Sequence, residues 1–241
     1  MKKVVIFGAT GAMGTAISKR LKNKGYQLHL VGRDEEKTRG LSSELEANYT
    51  IGDVLDGDLF PRVAEDAGEV VDGLVYAVGT LNMKSLNRLT ADDFLKDFRV
   101  NALGAAQAIQ HLAPALKKST DSASVVLFTS VAAEQGFTFH TSMSMAKGAV
   151  RGLTLALAAE LAPKIRVNAI SPSLTQTNMA DRFFSNEKMV EAISKLHAME
   201  RLGQPEDMAP LCEFLLSADS DWITGQIFGV DGGRSTLRIK S

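Results

Sequence analysis

The stretch Val4-Val5-Ile6-Phe7-Gly8-Ala9-Thr10-Gly11-Ala12-Met13-Gly14 constrains this chain more than any other. Four consecutive apolar residues, three of them β-branched, read as a strand covered on both faces. The three glycines that follow have separate uses. Gly8 permits the sharp turn out of the strand. Gly11 lets the backbone approach a diphosphate, and Gly14 lets the next helix pack closely on the sheet. Thr10 and Met13 belong to the same turn. A helix opening here aims unpaired N–H groups and the positive end of its dipole at an anion. No Gly-Lys-Ser/Thr follows, so the turn lacks what a triphosphate with magnesium requires. The pattern predicts a dinucleotide site. The structural alternative is a tight turn that binds nothing.

The same alternation continues down the chain. Strands are predicted at 4–7, 27–31, 49–51, 73–77, 124–129, 166–170 and 226–230, and helices near 12–24, 34–46, 57–67, 91–118, 140–162, 176–199 and 205–217. Strands alternating with helices imply a parallel sheet covered on both sides. The expected fold is α/β, a single-domain Rossmann-type doubly wound parallel sheet of about seven strands. No linker or repeat divides the 241 residues, so 1–241 reads as one domain. The stretch 174–200 is the least regular. Its Met179, Phe183, Phe184, Met189 and Met199 suit a flap over a substrate, or simple packing.

Composition excludes several functions. The net charge of −1 gives no reason to expect nucleic acid or an anionic membrane as partner. The apolar run at 153–159 is far too short to span a bilayer. The opening residues run directly into the first strand and show no leader pattern, so the chain is expected in the cytoplasm. The single cysteine, Cys212, excludes an internal disulfide and reads as a buried apolar residue. Histidines 29, 111, 140 and 197 are scattered without metal-ligand spacing, so no metal is expected.

The end of the second predicted strand bears on which nucleotide is bound. An acidic residue there would bond the ribose 2′-hydroxyl of NAD. This chain reads Gly32-Arg33-Asp34. Arg33 can fork onto a 2′-phosphate, which favours NADP(H) over NAD(H). The competing reading makes Asp34 the ribose ligand and leaves Arg33 solvated.

At this point the chain resembles the short-chain dehydrogenase/reductases over nearly its whole length. Gly52-Asp53-Val54 is similar to the family's adenine-contacting turn. Ala77-Val78-Gly79 is similar to its Asn-Asn-Ala-Gly segment, with Tyr76 in place of an asparagine. Asn101 in Val100-Asn101-Ala102 and Ser130 in Thr129-Ser130 match its helix asparagine and strand-end serine. The run from Ile170 to Thr177, containing Pro172 and Leu174, matches its cofactor segment, with Ser173 in place of glycine. Arg201 to Asp207, Thr224-Gly225-Gln226 and Asp231-Gly232-Gly233 most resemble the bacterial 3-oxoacyl-carrier-protein reductases.

The resemblance implies a division of labour. A lysine bonds the nicotinamide ribose and lowers the pKa of a tyrosine on the same helix. The tyrosine gives a proton to the substrate oxygen, a serine holds that oxygen, and an asparagine supports a relay to the lysine. Lys147, Ser130 and Asn101 are the matching residues. The tyrosine position, four residues before Lys147, holds Met143, and no tyrosine follows Tyr76. A thioether has no proton to give. The divergent enoyl-reductase branch spaces its helix as Tyr-x-x-Met-x-x-x-Lys. Against that pattern His140 occupies the tyrosine position. Residues 140 and 147 fall two turns apart on nearly one helix face, so His140 is the expected donor or oxygen-binding group. The alternative is a loop histidine with a satisfied hydrogen bond.

Three functions stay open at this stage. The first is an NADP(H)-dependent oxidoreductase acting on a small-molecule carbonyl or alcohol, or on an activated double bond. The second is a nucleotide-binding relative with weakened chemistry, acting as a sensor. The third is a subunit that partners an active relative. The resemblance also implies a homo-oligomer, dimer or tetramer, with the small-residue helix at 146–161 as a candidate contact.

Overall fold

The computed structural model describes residues 1–177 and 187–238. Its strands are β1 (Lys3–Phe7), β2 (Gln27–Gly32), β3 (Asn48–Ile51), β4 (Gly73–Tyr76), β5 (Ala123–Phe128), β6 (Ile165–Pro172) and β7 (Ile227–Val230). The helices are α1 (Ala12–Asn23), α2 (Glu35–Leu45), α3 (Leu59–Ala67), α4 (Ala91–Phe98), α5 (Gly104–Leu116), α6 (Thr141–Leu161), α7 (Glu187–Ser194) and α8 (Pro205–Leu216). All seven strands are parallel, in the order β3-β2-β1-β4-β5-β6-β7. This is the doubly wound sheet expected from the sequence. The order reverses between β1 and β4, and at such a point a crevice opens at the carboxyl ends of the strands.

Side-chain alternation builds two cores from one set of strands. In β1, Val5 and Phe7 join the core under α3, α5 and α6, while Val4 and Ile6 join the core under α1, α2 and α8. None of these four is more than 1% exposed. Burial of each such side chain contributes roughly 1.5–3 kcal/mol, which is why strands wet on neither face lack polar alternation. Cys212 is fully buried in the second core, and burial pushes its thiol far up. His29 is also structural. It is buried, bonded through Nε2 to Thr50 Oγ1 at 2.9 Å, and pushed down to about 4 by that burial.

The helix predicted at 91–118 is interrupted. Arg99–Leu103 forms a π-turn between α4 and α5. The Tyr76 hydroxyl, on β4, donates to the Val100 carbonyl at 2.7 Å and rests against Gly104. A side chain at Gly104 would collide with that hydroxyl. Helical periodicity does not reveal such a turn, because it inserts a single residue without breaking the apolar pattern. Of the helix predicted at 176–199, the described residues show α7 over Glu187–Ser194 and no helix over 195–199; Met179, Phe183 and Phe184 lie outside the described residues. No helix among the described residues is long and apolar enough to cross a membrane.

Candidate active site

The turn after β1 is shaped by backbone that tolerates no side chain. Gly8 has φ +75°, and a Cβ there would lie 2.9 Å from the Ala77 carbonyl oxygen. A Cβ at Gly14 would collide with the Gly8 carbonyl oxygen. Gly8 and Ala9 donate their N–H groups to the Val31 carbonyl at 2.9 and 3.1 Å, which pins the turn to β2. Gly11 is the N-cap of α1 in an extended conformation, with no side chain bonding the first turn and no acidic residue within it. The leading N–H groups of α1 therefore face the crevice without a side-chain acceptor, as an anion site requires. The glycine cradle and the uncapped helix fit a dinucleotide diphosphate.

At the end of β2 the two candidate residues part company. Asp34 caps α2, accepting from the Lys37 backbone N–H at 3.1 Å, and that bond holds its carboxyl below the usual range. Arg33 is 81% exposed and its Nη1 lies 3.8 Å from Asp53 Oδ2. Asp53 in turn accepts from the Leu55 N–H at 3.0 Å, which sets the turn carrying Val54. Asp34 is engaged in local structure, whereas Arg33 is free to reach a ligand.

A cavity of about 470 Å³ opens over the carboxyl ends of β4, β5 and β6. It gathers Ser130, His140, Met143 and Lys147 on one wall. Met13, Ala77, Val78, Gly79, Pro172, Leu174 and Thr177 line the same space. Lys147 is buried, donates from Nζ to the Phe128 carbonyl at 2.8 Å, and is pulled down to about 8 by desolvation. Ser130 lies two residues beyond β5 and caps the short turn Val131–Ala133, its Oγ accepting from the Ala132 N–H at 3.2 Å. It is at once a cap and a cavity hydroxyl.

Asn101 lies one layer behind, on the π-turn. Its Nδ2 donates to Thr80 Oγ1 and to the Asp97 carbonyl, both at 2.8 Å. Its Oδ1 is buried without a partner among the described residues. A side chain at Gly79 would begin 3.1 Å from that oxygen and 3.4 Å from Lys147 Nζ. The bare Gly79 backbone thus leaves room between the amide and the ammonium.

Helix α6 begins at Thr141, one residue after His140, which is its N-cap residue. His140 faces the cavity nonetheless. Its Nδ1 lies 2.6 Å from the Thr138 carbonyl, so Nδ1 carries a proton and donates it, leaving Nε2 for a ligand. The ring packs against Phe137 at 5.7 Å. Phe139, between these residues, has φ +66°, a conformation costing a bulky residue about 1–3 kcal/mol. The Lys84 N–H, bonded to the Phe139 carbonyl at 3.2 Å, helps hold it. Strain of this kind next to a cavity accompanies sites that need one side chain aimed accurately.

Sequence reasoning missed three cavity residues. His197 is buried, with Nε2 at 2.8 Å from Ser173 Oγ and Nδ1 at 2.9 Å from the Ile193 carbonyl. It ties the segment after β6 to α7. The only signal was Ser173 itself, a hydroxyl where the resemblance leads one to expect glycine. Phe137 and Arg234 also reach the cavity, from a loop and from the chain's last described segment, and no spacing rule links them.

Comparison with known proteins agrees with this geometry. A family model described as enoyl-(acyl carrier protein) reductase matches residues 8–235. The chain belongs to the short-chain dehydrogenase/reductase family. A tropinone reductase homolog of Arabidopsis thaliana is 31% identical over 95% of this chain and 91% of its own length. The uncharacterized oxidoreductase YmfI of Bacillus subtilis is 30% identical, covering 96% of this chain and 98% of its own. The structure of ElxO with NADP bound superposes with a TM-score of 0.89 at 27% identity, over 98% of this chain and 99% of that one. As a short-chain dehydrogenase/reductase, the protein is a hydride-transfer oxidoreductase.

Proposed function

We propose that this short-chain dehydrogenase/reductase uses NADP(H) to interconvert a small-molecule carbonyl and its alcohol, with His140 in place of the missing tyrosine. One observation carries the reading. A buried lysine, Lys147, shares one cavity with Ser130 and with an imidazole whose free nitrogen is Nε2. Isolated burial of an ammonium is costly, so Lys147 needs a polar ligand beyond the one carbonyl it touches.

The nicotinamide, when bound, supplies or accepts the hydride. Gly8, Thr10, Gly11, Met13 and Gly14 would hold the diphosphate, Arg33 the 2′-phosphate, and Asp53 and Val54 the adenine. Ala77, Val78, Gly79, Pro172, Leu174 and Thr177 would line the nicotinamide side, and Lys147 the ribose. The preference for NADP(H) is supported by the engagement of Asp34 as a helix cap and by the NADP in ElxO. Ser130 positions the substrate oxygen. Asn101 presents its unpartnered Oδ1 toward Lys147.

His140 handles the proton. Because Nδ1–H is given to Thr138, the neutral ring offers Nε2 as an acceptor, which suits alcohol oxidation. Donation from Nε2 to a carbonyl oxygen requires the second ring proton, so the nitrogen that takes the proton in oxidation returns it in reduction. Met143, at 5% exposure, contributes apolar surface to the same wall. The role of substrate flap belongs on this reading to the stretch near 174–200, whose ends the Ser173–His197 bond joins. Exposed Leu95, Phe98 and Leu103 beside α6, with Leu155 on it, support a homo-oligomer. Light scattering during size exclusion tests that assignment.

The function is tested in two steps. NADPH fluorescence titration should give saturable, micromolar binding. NADPH oxidation against methyl ketones and enoyl thioesters should then show turnover that Lys147→Ala abolishes and His140→Phe lowers. Tight NADPH binding with no turnover on either panel would leave a nucleotide-binding sensor as the better reading.

A further inference from the structure

The cavity is unbalanced in charge. Its described lining contains Lys147 and Arg234, together with His140 and His197, and not one aspartate or glutamate. Lys147 is accounted for by the cofactor reading above. Arg234 is not.

Arg234 is held as a binding group would be held. It follows Asp231-Gly232-Gly233, and its guanidinium carbon lies 5.3 Å from the centre of the Phe137 ring. Gln135 clamps its backbone, with Nε2 donating to the Ser235 carbonyl at 2.6 Å and to the Arg234 carbonyl at 3.4 Å. The guanidinium itself has one long hydrogen bond, Nη1 to Gln135 Oε1 at 3.5 Å, and no ion pair among the described residues. Asp231, the nearest acid in sequence, is used by the local turn, accepting from the Gly233 and Ser235 N–H groups at 2.9 Å and from the Ser235 hydroxyl. The cation–π contact with Phe137 holds the guanidinium at the cavity without consuming its N–H donors. His140 also packs against Phe137, at 5.7 Å between ring centres, so one aromatic ring contacts both the cation and the candidate proton donor.

We infer that Arg234 anchors an anionic group on the substrate, so that the protein acts on carbonyl compounds bearing a carboxylate or phosphate. The inference rests on the reading of this cavity as the reductase site. A planar guanidinium with a free edge binds such groups through paired, charge-assisted hydrogen bonds. A largely apolar cavity with no competing carboxylate among its described lining makes that contact stronger than it is in water. Anchoring the anion at Arg234 leaves the carbonyl to reach toward Ser130 and His140, which converts binding into orientation.

The test compares acids with their neutral counterparts. Pyruvate, acetoacetate and levulinate, each paired with its methyl ester, and dihydroxyacetone phosphate paired with dihydroxyacetone, are assayed by NADPH oxidation in wild type and Arg234→Gln. Wild type should prefer at least one anion over its partner in kcat/KM, and the length that wins gives the span from anchor to carbonyl. Preference for the phosphate pair rather than the acids identifies the anion as phosphate. Arg234→Gln should erase that preference by about 30-fold, mainly through KM, and Arg234→Lys should restore part of it. Equal rates on every pair, or a preference that survives Arg234→Gln, overturns the anchor. So does an Arg234→Gln protein that has lost NADPH binding in proportion, since Arg234 would then serve the cofactor. If wild type binds NADPH yet reduces nothing, calorimetry of levulinate and inorganic phosphate on the protein–NADP⁺ complex decides. Heat absent from Arg234→Gln supports an anion site in a non-catalytic protein, and no heat in wild type rejects it.

Discussion

At the phosphate turn the chain works with backbone, and at the head of α6 it works with side chains. Gly8, Gly11 and Gly14 matter for atoms they lack, because the Gly8 and Ala77 carbonyls already occupy the space a Cβ would need. Ser130, His140 and Lys147 matter for the atoms they bring. The two designs tolerate change differently. A backbone cradle admits almost no substitution, whereas a side-chain constellation can lose a member and still have a neighbour in reach. On the proposed reading the departure falls on the side-chain end, where Met143 stands four residues before Lys147, while the three glycines of the turn are present.

The largest effect should come from the cradle. Gly14→Val places branched carbons where the Gly8 carbonyl lies, so the turn and the first turn of α1 must separate. NADPH affinity should fall by about 1,000-fold or more, with a lower melting temperature, as fluorescence titration and thermal unfolding would show. Gly11→Ala is the milder companion, since its Cβ would stand 3.3 Å from the same oxygen. Near-wild-type binding by Gly14→Val would break the comparison, because the turn would then not be the binding element.

Next comes Lys147. Its pKa is held down to about 8 by desolvation alone, below the ordinary lysine value. Below pH 8 the group is an ammonium that an anionic cofactor stabilises. As pH rises through 8 the charge is lost. The NADPH dissociation constant should therefore climb up to about tenfold per unit above pH 8 in wild type and stay flat in Lys147→Met. Turnover in Lys147→Met should fall by about 1,000-fold. Equal pH slopes in the two proteins would show that Lys147 does not meet the ligand.

Legibility in the sequence followed the same division. The seven strands, their parallel order and the glycine turn were readable because each follows from a local rule: continuous apolar runs, alternation with helices, glycines at fixed offsets. The roles of Ser130 and Lys147 came from motif position, and the cavity brings the two together. What stayed hidden depends on contacts across the chain. The π-turn at Asn101 answers to Tyr76, 24 residues or more away in sequence. Ser173 is matched by His197, and Arg234 by Phe137 and Gln135 about a hundred residues upstream. No local pattern encodes such pairs. The predicted start of the catalytic helix at 140 was one residue early, because His140 bonds the Thr138 carbonyl and takes a non-helical conformation.

His140→Phe tests whether the side-chain end has been rebuilt. A positioned acid contributes about 100-fold or more, so carbonyl reduction at pH 6 should drop by about that factor. Introducing Met143→Tyr into the His140→Phe background supplies a phenol four residues before Lys147. That double variant should regain activity. A His140→Phe enzyme with unchanged turnover would move the proton donor elsewhere.

The smallest effect belongs to Arg33, and it qualifies the comparison from the other side. At this end of the cofactor the chain again relies on a side chain, but one that is largely in water. Exposed charge pairs are screened and contribute little each, even when the partner is a dianion. Arg33→Glu should weaken NADPH binding by about tenfold at low salt and leave NADH within a factor of about two, with the difference shrinking as salt rises. The sign is fixed by Asp34, whose Oδ1 accepts from the Lys37 N–H as the cap of α2 and whose Oδ2 lies 3.4 Å from Lys37 Nζ, so a ribose must compete with Lys37 for the carboxylate. A tighter NADH complex in wild type than NADPH complex would mean that the cap releases Asp34 on binding. Asp34→Ala would then weaken NADH and NADPH unequally, and that inequality measures how far the end of β2 behaves like the glycine turn or like the head of α6.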